Sequence, residues 1–443
     1  MTTTRETFLS AFDALERRGL AGPTWLRELR RLAIARFAEA GLPGKRDEEW
    51  KYTSLAPLTS TAFDLAVDDA GPEPGEDAIA PFCVGAPSWS RLTFVNGRFS
   101  AKLSALRPLP GGVRLGSLGE ALITDADVVR RHLTAVEEPM DGFTALNAAF
   151  WQDGAFLLVP DGVVVEEPVH LLFVAGAAGR ARADHPRSVI ALGRESRATV
   201  VESYVGLGGD TYLTNAVTEV AAGPSASLDH QKIQLESGRA FHVGRTRVVQ
   251  ARDSRVASCA VTFGGRLSRH EVHATLGAEG ADCRLSGLYV VGGRQHADTH
   301  TVIDHASPRA TSRQLFKGVL DGRSRGVFNG RIVVRPGADG TDAHQTNKNL
   351  LLSDEAEVDS KPQLEIFAAD VKCSHGAADG QPPADAIFYL KSRGLDEAAA
   401  RTLLTYGFAN EVLDTIGLVP VRTWLGDVLA GRLRGGRIIE EDA

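Results

Sequence analysis

The run Val371-Lys372-Cys373-Ser374-His375-Gly376 sets a thiol and an imidazole two residues apart. On an extended strand residues i and i+2 point to the same face, so Cys373 and His375 would stand side by side as a soft sulfur ligand and a nitrogen ligand. That is half a metal site. Zinc typically takes four protein ligands in structural sites and three in catalytic ones, and no second Cys/His pair lies nearby in the chain, so further ligands must come from distant strands or another subunit. The competing reading is a half-buried thiol beside a hydrogen-bonded histidine, because free cysteine is among the most buried residue types. A Cys-His nucleophile is the third: it needs an imidazole aimed at the thiol, a group orienting that imidazole and an oxyanion hole, and nothing around Gly376 signals one.

A second constellation is Gln295-His296-Ala297-Asp298-Thr299-His300-Thr301, whose alternation puts His296, Asp298 and His300 on one face, with Asp304 and His305 following. It reads as a metal face or as a polar ladder satisfying backbone and neighbouring groups. His270 and His273, three apart, would face opposite sides of a strand. Nucleotide chemistry finds no support: Gly41-Leu42-Pro43-Gly44-Lys45-Arg46 has the wrong spacing for a phosphate-binding loop, and Gly206-Leu207-Gly208-Gly209 lacks the third glycine and the following helix, which leaves a tight turn.

The elements that must position these residues follow from periodicity. Phe8, Phe12 and Leu15, then Trp25, Leu29, Leu32, Ala33 and Phe37 after a Gly22-Pro23 break, recur at helical steps, so two amphipathic helices open the chain. The acidic, Pro- and Gly-rich stretch Asp68 to Pro81 has almost nothing to bury and reads as a solvated linker. From about Ala155 to Ile366 short β-branched runs alternate with Gly, Asp, Ser and Arg turns, and no helix-length apolar stripe interrupts them, which argues against a doubly wound βαβ sheet. Turn-plus-strand repeats at Ser225-Ala226, Arg255-Val256, Gly280-Ala281 and Arg309-Ala310 suggest coils of a β-solenoid, with a β-sandwich of long hairpins as the alternative. Helical spacing returns after Gly380, with Asp396 placed to cap a helix through Leu413 and a last helix over about Val421 to Leu433. The divisions expected are a helical region 1–65, a linker 66–81, a mixed connecting segment 82–154, a solenoid core 155–376 and a helical domain 377–443.

Composition sets outer limits. The 443 residues carry 49 Lys+Arg against 56 Asp+Glu, a net charge of −7, which disfavours a nucleic-acid-binding body. Four cysteines with no CxxC pair exclude a disulfide scaffold or a zinc knuckle. Neither a signal-like apolar core at the amino terminus nor an 18-residue apolar run is present, so a cytoplasmic protein without membrane contact is expected.

Taken together, Arg46-Asp47-Glu48-Glu49-Trp50-Lys51-Tyr52-Thr53, Gln295 to His305, Phe316-Lys317-Gly318-Val319, Val327 to Ile332, Gln345 to Ser353, Lys361 to Ile366, Val371 to Gly376 and Phe388 to Gly394 resemble, in order and over most of the chain, the SufB/SufD family of the SUF iron–sulfur cluster assembly system. The Lys-Cys-Ser-His-Gly stretch resembles the SufD type, since SufB-type chains carry a Glu-His-Glu-Ala type sequence there. The resemblance implies a mostly β fold, a right-handed parallel β-helix between N- and C-terminal helical domains, and a non-catalytic scaffold. It implies pairing with a SufB-like paralogue through the β-helix and with a SufC-like ATPase through the C-terminal domain, where Phe388, Tyr389, Leu390, Arg393, Leu403, Leu404 and Phe408 form the expected contact region. Cys373 and His375 would then lie at the interface with the paralogue, as a half-site for iron or a nascent iron–sulfur cluster held transiently, and this chain would bind no nucleotide itself.

The chain departs from the family pattern around this motif: Ala369-Asp370 replaces two aspartates, Gly376 to Pro383 replaces an Ala-Thr and acidic run, and Ala338-Asp339-Gly340-Thr341 replaces an Ala-Gln-Lys-Thr type segment. The ligands themselves remain. Two other classes stay open: a β-helix carbohydrate-active enzyme, disfavoured by only 7% aromatic residues for sugar stacking, and a structural homodimer in which Cys373 is an ordinary interface thiol.

Overall fold

The structure, a computed structural model, describes residues 4–65, 71–133, 140–176 and 179–439. Its centre is a parallel β-solenoid in which each coil contributes one strand to each of two sheets. The front sheet stacks Ser90–Val95, Val169–Ala175, Arg197–Gly206, Ser227–Leu235, Arg255–Thr262, Asp282–Val291, Thr311–Leu320, Thr341–Leu351 and Val371–Gly380 in that order. The back sheet runs from Ala155–Val159 through Arg187–Leu192, Tyr212–Ala222, Phe241–Gln250, Leu267–Leu276, His296–His305 and Arg325–Val334 to Glu357–Ile366. Stacking therefore begins before residue 155, because Ser90–Val95 already lies parallel to Val169–Ala175, and it ends at Gly380.

Register fixes the coil length. Arg197, Ser227, Arg255, Asp282, Thr311, Asp342 and Lys372 lie opposite one another, at steps of 30, 28, 27, 29, 31 and 30 residues. The residue before each, from Ser227 to Asp342, is small and buried: Ala226, Ser254, Ala281, Ala310 and Thr341. The repeat expected from sequence matched Val256 with Ala226, but Val256 opposes Leu228, and Ser254 occupies the corner. The bend from one sheet to the other needs a small side chain there, and serine fills it as well as alanine.

Inner faces build the core. Phe94, Phe173 and Tyr204 share one register and stack with ring centroids 4.8 Å apart at each step, the spacing of neighbouring strands. Beside them the interior is polar. Glu202 accepts from the Tyr204 hydroxyl at 2.5 Å and Thr218 Oγ1 at 2.7 Å, and lies 2.9 Å from His230 Nε2. Burial pushes the Glu202 carboxyl up, but the hydrogen bond and charge of His230 outweigh it and hold it at about 2.

Helices close the outer faces. Phe8, Phe12 and Phe37 from Thr4–Arg17 and Thr24–Ala40, with the fully buried helix Gly142–Phe150, pack on Leu213, Phe241, Val243 and Leu267 of the back sheet. Ala409, Val412 and Leu413 of Glu397–Leu413 and Val421, Leu425 and Leu429 of Val419–Arg432 cover Val201, Ile233, Cys259, Val261 and Leu288 of the front sheet. Asp396 caps as its position predicts, accepting from Ala399 N at 2.7 Å.

Three local expectations are corrected. Leu32, assigned to the apolar stripe, is 52% exposed, because the stripe that packs on the solenoid runs through Leu26, Leu29, Ala33 and Phe37. The linker is not solvated throughout: residues 66–70 lie outside the described residues, but Glu76–Ile79 forms a helical turn whose Ile79 is buried against Val95, Leu103, Leu172 and Val174. One well-placed isoleucine suffices to anchor an otherwise polar segment. At Leu207 to Gly209 the chain bends between two strands, without the hydrogen-bonded tight turn expected there, and Gly208 has φ +145°.

Candidate functional site

Val371–Gly380 is the terminal strand of the front sheet and, among the described residues, pairs on one side only, with Thr341–Leu351. The parallel register sets Cys373 opposite Ala343 and His375 opposite Gln345. Cys373 is half-buried and packs toward Ile332, Val334, Ala338, Ala343 and Leu364, on the inner side of the last coil. Burial pushes its thiol up, with Asp342 adding to the rise and a backbone hydrogen bond from Ala343 opposing it. The thiol form is thus favoured until a metal or a partner's positive charge displaces the proton. Two residues along, His375 shares that face by the pleat but is exposed, where the coil opens to solvent.

The neighbouring side chains were not legible as a site. Gln345 is buried opposite His375, and neither of its amide atoms has a hydrogen-bond partner among the described residues. It fits because Gly330 faces it; a Cβ at position 330 would lie 1.7 Å from Gln345 Nε2. On the opposite face of the same strands, His344 joins Asp342 at 2.8 Å through Nε2 and Ser374 Oγ at 2.5 Å through Nδ1. The only forward signal for Gln345 is its place in the Gln345 to Ser353 motif. Among the described residues no group of three or more His, Cys, Asp and Glu side chains is arranged to hold a metal ion. Burial raises the other thiols as well, Cys259 to about 11 and Cys283 to about 12, and it raises Cys83.

His296, Asp298 and His300 do share a face of the back sheet, but protein groups occupy them. Asp298 accepts from Arg269 Nη1 at 2.5 Å and Thr53 Oγ1 at 2.6 Å, and its other oxygen lies 2.9 Å from His300 Nε2. Thr53 also lies 3.0 Å from His296 Nε2, and His300 Nδ1 is 3.2 Å from Glu49 Oε2. Lys361 closes the row on Glu48 at 2.6 Å. With Asn329 Nδ2 donating to Glu49 Oε2 at 3.3 Å and Arg269 Nη1 to the Glu49 carbonyl, the Arg46 to Thr53 motif and the histidine ladder form one latch, which fastens the N-terminal region to four successive coils. Burial would lower His300, but the charge of Asp298 and hydrogen bonds to Asp298 and Glu49 raise it to about 9. His270 is buried and His273 lies half-buried on the other face, as their spacing predicts.

The C-terminal residues separate by exposure. Phe388, Tyr389 and Leu403 are 75%, 56% and 51% exposed, a high value for apolar side chains grouped on two adjacent helices. Arg393 is exposed beside them, 5.3 Å from the Tyr389 ring centroid. Leu390 and Leu404 are half-buried. Phe408 faces inward: Lys317 Nζ stands 4.2 Å from its ring centroid and donates to its carbonyl at 2.9 Å. Among the described residues no helix is long and apolar enough to cross a membrane.

Residues 173–408 match the family model for the SUF system FeS cluster assembly SufBD core domain, and residues 8–171 match that for the SufBD protein N-terminal region. The chain is 34% identical to the iron–sulfur cluster assembly SufBD family protein slr0076 of Synechocystis, over 89% of this chain and 86% of that protein. It is 32% identical to the iron–sulfur cluster assembly protein SufD of Escherichia coli, over 91% and 92% of the two chains, and 27% identical to SufD of Bacillus subtilis, over 93% and 95%. On the two matched domains, which span the latch, the solenoid and the Cys373/His375 strand, the chain belongs to the SufBD family of iron–sulfur cluster assembly proteins, as a homologue of SufD.

Proposed function

We propose that this chain is a non-catalytic scaffold subunit that joins a SufB-like paralogue at the open end of its solenoid and a SufC-like ATPase at its C-terminal helices. Cys373 and His375 supply one side of an interfacial site for iron or a nascent iron–sulfur cluster, which is the cargo of the assembly. The observation that carries the reading is that Val371–Gly380 and Glu357–Ile366, the terminal strands of the two sheets, belong to the same last coil and each has one edge without a strand partner among the described residues. An unpaired edge is a template for another chain, and here it carries the half-site with it. Exposed Phe388, Tyr389 and Leu403 on adjacent helices, with Arg393 5.3 Å from the Tyr389 ring centroid, are side chains of the kind that suit a second partner.

Nucleotide-driven movement of the helices would couple to the site only through contacts that differ between two states of the assembly. The test is iron retention and cluster formation in the complex reconstituted with paralogue and ATPase. His375→Ala is expected to retain the complex and lose cluster formation; wild-type rates in that variant remove His375 from the site. Size exclusion of the chain alone distinguishes a homodimer built on the same edge.

A further inference from the structure

At the corner where the front sheet turns into the back sheet lies a cleft of about 510 Å³ lined by Arg239, Arg266, Arg294 and Arg432. The first three come from successive coils, from the turns that follow Ser227–Leu235, Arg255–Thr262 and Asp282–Val291, and all three are exposed. Among the described residues the side chains of Arg239 and Arg294 have no hydrogen-bond or ion-pair partner, and that of Arg266 only stands over the Phe241 ring, 5.9 Å from its centroid. Arg432 is buried at the cleft wall, where it donates to the Phe263 carbonyl.

The rest of the solenoid treats such arginines differently. Arg323, next along the same corner, holds Glu355 at 3.0 and 3.2 Å. Arg252 pairs with Glu279 and Arg335 with Asp304, each at 2.9 Å and each reaching one coil away. The carboxylate in the cleft, Glu236, is already used: Thr214, Gln234 and His242 lie at 2.7, 3.0 and 2.8 Å from its two oxygens. Stacked coils sit about 5 Å apart, so three like charges repel along this corner without the counter-charge supplied elsewhere. Guanidinium forks match phosphate oxygens in geometry and charge. Pro57 and Leu267 add an apolar side to the same cleft.

We propose that this cleft binds a small organic phosphate, its phosphate group held by Arg239, Arg266 and Arg294 and its body laid against Pro57 and Leu267. The site is built within one chain, so it stands apart from the assembly reading above. Calorimetric titration of the full chain alone with ADP, and separately with inorganic pyrophosphate, tests it. Saturable binding of ADP is expected, which departs from the expectation drawn from the family resemblance that this chain binds no nucleotide, and it should be weakened at least about tenfold by the double substitution Arg239→Gln/Arg294→Gln. Both side chains are exposed and their charges repel, so the unliganded thermal midpoint should not fall, and Arg284→Gln on the outer front sheet should leave binding intact. Weaker binding of pyrophosphate than of ADP supports the apolar contact, and equal binding overturns that part. Absence of saturable heat with either probe, or unchanged affinity in the double variant, overturns the proposal.

Discussion

The Arg269 guanidinium lies 3.8 Å from the centroid of the Trp50 ring, which buries a cation between an N-terminal indole and the Asp298 carboxylate of the next coil. Trp50 also stacks on Phe143 at 5.2 Å, and Arg269 Nη1 donates to the Glu49 carbonyl at 2.9 Å. The latch is thus a desolvated ion pair roofed by an aromatic face, and both sides depend on the roof. Trp50→Ala removes packing and admits water to the pair. It is expected to lower the unfolding free energy by about 3–5 kcal/mol, the range for a buried tryptophan, as read by denaturant titration.

The latch also carries a pH dependence. His300 titrates at about 9 in the folded chain, against about 6.5 for an unperturbed histidine, so folding raises its affinity for a proton. The stabilisation is complete below about pH 6.5 and is lost as pH rises through about 9. Thermal midpoints measured between these limits should fall with rising pH more steeply in the wild type than in His300→Gln. Equal slopes would show that the proton on His300 does not support the fold.

The Cys373/His375 face was legible because a strand's period of two is strict and the pair belongs to a single strand. The solenoid was legible for a related reason: alternation without helical stripes over two hundred residues leaves few other folds. What could not be read were contacts that arise only when coils stack. His230 reaches Glu202 across 28 residues, and Asp298 gathers groups from positions 53, 269 and 300. No local spacing encodes such pairs, because coil length varies between 27 and 31 residues. The same drift displaced the Val256 match by two positions, which keeps the face and changes the register. The His296/Asp298/His300 ladder reads from its spacing as a polar ladder more readily than as a metal face, and the docked Thr53 and Glu49 supply the partners that spacing alone does not name.

The exposed patch of the C-terminal helices gives a third prediction. Phe388→Ser and Leu403→Ser remove side chains that are mostly in solvent, so the stability of the chain should change by no more than about 0.5 kcal/mol. If the patch is the ATPase contact, the pair of substitutions should weaken that association at least about tenfold, as for central apolar residues of an interface. Phe408→Ala should behave oppositely and cost stability, because its ring packs beneath Lys317 inside the chain. Pull-down and unfolding measured on the same three variants separate the two roles.

The free edge can be tested without touching either candidate ligand. Gly376 lies on Val371–Gly380 just beyond His375, and a Cβ built there meets no atom within 4 Å. A lysine at this position should therefore leave the last coil folded. It sets an ammonium group on a strand edge, and edge lysines oppose addition of a further strand because pairing would strip water from the charge. Gly376→Lys is expected to keep the thermal midpoint of the isolated chain while abolishing co-elution with the paralogue on size exclusion. His375→Ala should show the converse, co-elution without cluster formation. Retained co-elution in Gly376→Lys would place the partner on another face of the solenoid, and the half-site would then need its missing ligands from within this chain, where the described side chains offer none within a metal-binding group.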